Sequence, residues 1–216
     1  MKKWGLVVTL FYLIIVLAVL VPLTVLISTS SRASDLREAY THWFTWTCVG
    51  VVVAGEILLL WLSADTTRRK LKPRRHILIS ALTAGLFLGI LTVALVLDFG
   101  VAIWGDHFDQ FFPDWNALSL MAGAFGIPWI IWGIVFYRFC RETEDPVTRA
   151  VGWLFRGSVL ELLVAIPAHV IVRRRNDCCA PIATGFGIYT GIAIMLLSFG
   201  PSVLLLLKKR MEGHSK

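Results

Sequence analysis

The polar side chains that could carry chemistry are concentrated between positions 156 and 179. This segment contains the following charged, imidazole and thiol groups: Arg156, Glu161, His169, Arg173, Arg174, Arg175, Asp177, Cys178 and Cys179. Long apolar runs surround it. A charged group inside hydrocarbon costs at least ~2.5–3.5 kcal/mol on insertion scales, so it usually faces a cavity or a partner. We therefore expect an ion-handling or ligand-binding site in this part of the chain.

Arg156 and Glu161 lie five positions apart, which corresponds to about 140° around an ideal helix. They do not face each other, so each needs a partner on another helix. Glu56, in the second apolar run, is the expected partner of Arg156. We interpret Glu56, Arg156, Glu161 and His169 as candidates for binding or relaying charge, and a structural ion pair between helices is the simpler alternative.

Pro167 precedes His169 by two positions. Proline removes a backbone donor and kinks or breaks a helix. Freed carbonyls at membrane depth are tolerated where they line a cavity or are buried in protein. The sequence therefore predicts a broken fifth helix with His169 beside the break, either as a ligand or as a hydrogen-bonded packing residue.

Cys178 and Cys179 are adjacent and precede the last apolar run. Thiolates are soft donors for copper, mercury or zinc, and a helix N-terminus lowers the pKa of a thiol. Asp177 and His169 could supply further ligands. Adjacent cysteines point in different directions and suit tetrahedral zinc poorly, so the expected cofactor is a soft metal ion such as copper. A vicinal disulfide, or two small apolar residues at a helix start, are the alternatives.

In this one feature, the cysteine pair resembles the vicinal cysteines of mercuric-ion transporters. The resemblance covers Cys178 and Cys179 alone, and it implies capture of a soft metal ion. The neighbouring Arg173–Arg175 triplet has a separate interpretation, because arginines at a membrane surface bind lipid phosphates, each worth ~1 kcal/mol near an anionic leaflet. Simple anchoring of the helix end is the alternative for the triplet.

The elements that must position these residues are transmembrane helices. Of the 216 residues, 57% are hydrophobic and 16% are charged, and about 20 apolar residues of helix cross a bilayer. Runs of that length predict an all-α polytopic helix bundle, a single transmembrane domain over residues 1–216. Its expected spans are about 4–28, 43–63, 76–104, 117–138, 150–172 and 182–207.

The distribution of Lys and Arg predicts that both termini are cytoplasmic. With six spans, 15 of these residues fall inside and 5 outside, as basic flanks require. A rival topology makes 150–172 re-entrant, which changes the division only to 14 and 6. The net charge of +7 therefore reflects membrane orientation, and no nucleic acid partner is expected.

Small residues recur at four-residue spacing in two runs: Ala81, Gly85 and Gly89 in the third, and Ala183, Gly187 and Gly191 in the sixth. Such stripes let membrane helices approach closely, so we expect both at helix contacts. Glu56 and Glu161 each precede a run of three basic residues by twelve positions. This match is compatible with a 3+3 inverted repeat, which is common in secondary transporters.

The sequence contains no P-loop, H-E-x-x-H, G-x-S-x-G or C-x-x-C motif, so it nominates no enzymatic reaction. The leading hypothesis is a small membrane transporter or soft-metal-handling protein with its site around the fifth helix. One alternative is a structural or accessory subunit of a larger membrane complex. Another is a membrane enzyme that binds lipid headgroups. The expected partners are the bilayer, anionic lipid and other membrane subunits.

Overall fold

The chain folds into helices connected by short segments. A computed structural model describes residues 2–28, 43–64, 74–105, 107, 117–140, 146–175 and 180–214, and this part contains six helices and no strand. The helices are α1 Lys2–Ser28, α2 Trp43–Ala64, α3 Arg74–Trp104, α4 Ala117–Cys140, α5 Pro146–Arg175 and α6 Ala180–His214. Each predicted span lies within one of them, which confirms the all-α bundle.

Four stretches are long and apolar enough to cross a membrane: Ile77–Trp104, Ala122–Phe139, Val147–Arg175 and Ala180–Gly200. α1 and α2 contribute shorter apolar stretches, Leu10–Leu23 and Val49–Leu59. Two exposed tryptophans lie at helix ends, Trp43 at the start of α2 and Trp104 at the end of α3, where aromatic side chains meet the membrane interface. The molecule is a membrane protein, and the orientation of its termini stays a prediction.

The core of the bundle is formed by α3, α4, α5 and α6. α3 packs along α4 and α5, α5 packs along α6, and α1 and α2 lie mainly against α6. The largest buried cluster joins these elements through the following side chains: Leu20, Leu59, Phe87, Leu154, Ile194 and Leu197. This cluster fixes the rotation of α3, α5 and α6, and therefore decides which of their side chains face one another.

The small-residue stripe of α3 is where α3 meets α4. A Cβ atom built at Gly85 would lie 2.8 Å from the backbone nitrogen of Gly133, and one at Gly89 would lie 3.0 Å from that of Trp129. The indole of Trp129 donates to the carbonyl oxygen of Leu82 at 3.1 Å. The expectation that this stripe mediates helix contact is confirmed, because backbones this close leave no room for larger side chains.

The corresponding stripe of α6 faces α5 and α3. A Cβ atom at Gly191 would lie 2.9 Å from Cγ of Leu162 on α5, and one at Gly187 would lie 2.6 Å from Cγ of Asp98 on α3. The prediction that the Ala183, Gly187 and Gly191 stripe lies at a helix contact is thus also confirmed. The proposed inverted repeat stays a prediction.

The expected break in the fifth helix is wrong. α5 is one continuous helix from Pro146 to Arg175 with Pro167 inside it. Pro167 lies on the exposed side, whereas Ala165, Ala168 and Val172 are buried against the bundle. Packing of this buried face holds the helix through the proline, because tertiary contacts outweigh one lost backbone hydrogen bond. The re-entrant alternative needs a chain reversal within 150–172, and the helix has none there.

Candidate functional site

Asp98 is a carboxyl group inside the bundle. It is 0% exposed and lies on α3, where it is the one charged residue between Arg75 and Asp106. Asp98 was not selected from the sequence, because the search concentrated on the segment where polar residues are dense. The sequence did contain a signal, which is a single acid in a long apolar run. An acid inside a membrane is costly and is usually functional.

Glu161 on α5 is the second buried carboxyl group, also 0% exposed. It follows the buried face that includes Leu154, Ser158 and Ala165, so the helical period turns it inward. Its carboxyl group lies within hydrogen-bonding reach of that of Asp98. The sequence-predicted Glu161 is thus brought together with an acid that the sequence analysis had not selected.

The two carboxyl groups lack other hydrogen-bonding partners in the described part of the chain. Ionised carboxylates only accept hydrogen bonds. If both groups are ionised, none of the four oxygens of Asp98 and Glu161 has a donor among the described residues. Two ionised carboxylates in contact repel, so such a pair shares at least one proton, as in the aspartic-protease dyad. The proton lets one group donate to the other and removes one buried charge.

Glycines of α6 make room for the pair. The Asp98 carboxyl group lies against Gly187, and Cγ of Glu161 would lie 3.5 Å from a Cβ at Gly191. These glycines are four positions apart and share one face of α6. The two acids therefore occupy neighbouring turns of the same glycine-lined groove, which we call the carboxyl groove (Asp98, Glu161, Gly187 and Gly191).

His169 lies in the same α5–α6 contact, near the end of α5. Its Nδ1 is 2.8 Å from Oγ1 of Thr184, and Nε of Arg173 donates to its Nε2 at 3.5 Å. Because Nε2 accepts, Nδ1 of a neutral ring carries the proton and donates to the Thr184 hydroxyl. That hydroxyl in turn donates to the carbonyl oxygens of Ala180 and Pro181, each at 3.3 Å. His169 is therefore a hydrogen-bonded residue of the helix contact.

A polar path runs from the helix end toward the carboxyl groove. Arg173 is exposed, His169 is half-buried and Thr184 is fully buried. Thr184 precedes Gly187 by three positions, so the Thr184 hydroxyl lies about one helical turn (about 5 Å) from the level of Asp98. A single bridging water is enough to connect groups at that separation.

The other sequence-predicted charges do not join this site. Arg156 is exposed, whereas Glu161 is buried, which confirms that the two do not face each other. The side chain of Glu56 lies outside the described residues, so its pairing with Arg156 stays a prediction. Arg173, Arg174 and Arg175 are exposed at the end of α5, and their binding of lipid phosphate or another anion stays a prediction.

The predicted soft-metal ligands Asp177, Cys178 and Cys179 lie outside the described residues. Among the residues that are described, no group of three or more His, Cys, Asp or Glu side chains is placed to hold a metal ion. The copper hypothesis therefore stays a prediction from the sequence.

The arrangement places two buried carboxyl groups and a histidine along the same bundle interior, and carboxyl and imidazole groups are the side chains that bind and release protons most readily. Comparison of the chain with models of known protein families, with curated proteins and with solved structures found no match.

Proposed function

We propose that this protein is a proton-coupled membrane transporter that loads and unloads protons at the Asp98–Glu161 pair. The observation that supports it is the contact between two fully buried acids, on two helices that are each long enough to cross a bilayer. Buried acids within spans mark proton relays and ion pathways in pumps and transporters. The proposed transport site therefore lies among α3, α5 and α6.

A proton suits this pair better than a metal ion. Metal ions such as Mg²⁺ and Ca²⁺ take six or more ligands, most of them oxygens, and the pair offers carboxyl oxygens from two residues. A proton needs one donor and one acceptor, and two protons make the pair electrically neutral. Neutral loading matters because the groove is desolvated, where a net charge is expensive.

The chief alternative is a structural or accessory subunit in which the pair is a static hydrogen bond between helices. In that case the pair keeps its proton and no proton crosses the membrane. The lipid-headgroup enzyme is a further alternative, which would depend on Arg173, Arg174 and Arg175 rather than on the buried acids. Measuring proton movement separates the proposed transporter from both alternatives.

The experiment uses purified full-length protein in liposomes that contain a pH-sensitive dye, with an imposed pH gradient and membrane potential. Wild-type protein should carry protons, whereas Asp98→Asn and Glu161→Gln should reduce the flux to the protein-free level. The matched control is Ser158→Ala, because Ser158 is buried one turn from Glu161 and its hydroxyl donates to the Phe155 carbonyl at 2.8 Å. This control should keep the wild-type flux.

Infrared spectroscopy tests the same proposal without a transported solute. A protonated buried carboxyl group has a carbonyl stretch that is absent from a carboxylate. The band should be present in wild-type protein, should disappear reversibly as the pH is raised, and should change in each pair variant. Flux and a titrating band that survive both pair substitutions would exclude the proposed function.

A further inference from the structure

The side of the carboxyl groove toward the α5–α6 connection contains a titratable side chain near the surface. Toward the α5–α6 connection, the contact between these helices contains His169 and Thr184, whose ring and hydroxyl are hydrogen-bonded at 2.8 Å. Between His169 and Glu161 the buried positions of α5 are Ala165 and Ala168. These small side chains let α5 and α6 approach closely, and Val101, Val172 and Ala180 form a small apolar cluster at the same end. The route from this end therefore follows the hydrogen-bonded pair of His169 and Thr184.

The opposite side of the groove contains buried hydroxyls, such as that of Ser158, but it is closed mainly by apolar side chains, which we call the apolar seal. All of its members are at most 5% exposed: Leu88, Leu91, Leu154, Ile194 and Leu197. A Cβ atom at Gly157 would lie 3.0 Å from Leu88 and 3.2 Å from Leu91, so α3 and α5 are in tight contact there. Dry apolar constrictions of this kind block the passage of ions and water.

We propose that His169 is the residue through which protons reach the Asp98–Glu161 pair, and that they arrive from the α5–α6 connection side of the bundle. The inference depends on the proposed proton transport, because it names the access route to that same site. It follows from the position of His169 between exposed Arg173 and buried Thr184, together with the apolar seal on the far side.

In the proposed relay, each proton that His169 takes up from solution is matched by one proton delivered to the carboxyl pair. A proton from solution binds Nε2 of His169 after the exposed Arg173 side chain, which contacts it at 3.5 Å, swings away. The ring then releases the proton on Nδ1 to the Thr184 hydroxyl. The hydroxyl's own proton turns away from the Ala180 and Pro181 carbonyl oxygens and passes through a bridging water to a carboxylate of the pair. Rotation or tautomer exchange of the ring restores the starting state, as expected of a histidine proton shuttle.

Two side chains lie within hydrogen-bonding distance of the His169 ring. From its own helix the guanidinium of Arg173 contacts it, and from α6 the hydroxyl of Thr184 does. The described acids buried in the same bundle interior are Asp98, at the level of Gly187, and Glu161. Any effect of pH on the relay therefore involves the imidazole and the carboxyl pair.

The test measures how fast the infrared band of the pair responds to a rapid pH jump, in liposomes whose two sides are separately accessible. His169→Ala should slow the response at least about 100-fold, the lower end of the effect of losing a proton-transfer group. Imidazole added on the α5–α6 connection side should restore it, and imidazole on the other side should not. His107→Gln, an exposed histidine beyond the end of α3, is the control that should keep the wild-type rate.

A second variant covers the case in which His169→Ala fails to fold. His169→Gln keeps a hydrogen-bonding side chain against Thr184 but cannot pass a proton through a ring, so it should be folded and slow. A wild-type rate in either variant, or a slow rate that imidazole does not restore, would overturn the access route and leave the pair as the transport site. Loss of the band's titration in wild-type protein would instead overturn the proposed function, and the route with it.

Discussion

The carboxyl group of Asp98 lies directly against Gly187, where a Cβ atom would be 2.6 Å from Cγ of Asp98. Gly187→Ala should therefore displace the carboxyl group and lower the free energy of unfolding by about 1–3 kcal/mol, as overpacking does. The measurement is thermal or denaturant unfolding in detergent. Gly152→Ala is the control, since a Cβ there meets nothing within 4 Å.

A double-mutant cycle identifies the cause of this effect. In an Asp98→Ala background the space beside Gly187 is empty, so Gly187→Ala should then cost little. An equal loss of stability in both backgrounds would show that Gly187 is required for some reason other than the Asp98 carboxyl group.

Gly85 and Gly133 face each other across the α3–α4 contact but should respond differently to alanine. A Cβ at Gly85 would lie 2.8 Å from the backbone of Gly133, whereas a Cβ at Gly133 would meet only Cδ2 of Leu82, at 3.9 Å. Gly85→Ala should destabilise the protein by about 1–3 kcal/mol. Gly133→Ala should be neutral, or stabilising by up to about 1 kcal/mol through helix propensity. Unfolding curves of the two variants, measured side by side, check the contrast, and similar effects in both would contradict the close backbone contact.

Cys178 and Cys179 should bind Cu(I) or Hg(II) in the purified protein. Thiolates are suited to soft ions, and the affinity should fall on acidification because protons compete with the metal. Calorimetry should show that replacing both residues by Ser abolishes binding, while Cys48→Ser with Cys140→Ser preserves it. Undiminished binding after the first replacement would remove the soft-metal hypothesis and leave proton transport unaffected.

Both termini should lie on the cytoplasmic side, with Arg173–Cys179 on the outer side. In a Cys48→Ser, Cys140→Ser background, a membrane-impermeant thiol reagent should label Cys178 and Cys179 in intact cells. The expectation follows from the excess of Lys and Arg inside. Labelling that needs permeabilised cells would reverse this assignment, and would place the proton-access side of the groove in the cytoplasm.

The helices and the close helix contacts could be predicted from the sequence alone. Backbone groups have no water partner in hydrocarbon, so an apolar run of sufficient length must be helical whatever its neighbours are. Glycines at four-residue spacing lie on one helix face by geometry alone, which is why the contacts at Gly85, Gly89, Gly187 and Gly191 were predictable.

The carboxyl pair could be decided only by the tertiary structure. Asp98 and Glu161 are 63 positions apart, and their meeting depends on the rotation of α3 and α5 about their axes. Both helices are apolar nearly all round, so their own patterns say little about which side faces inward. Packing against the common core of Phe87, Leu154 and Leu197 sets that rotation.

At Pro167 the prediction from the sequence alone was wrong, and the tertiary structure corrects it. Its residue type predicts a break, but the continuous helix depends on the buried face of α5, which is fixed by α3 and α6. The sequence by itself thus determined which segments are helical and which faces approach closely, because those properties are local to one helix. The tertiary structure decided which acids meet and which proline is tolerated, because those outcomes depend on contacts between helices that are distant in the chain.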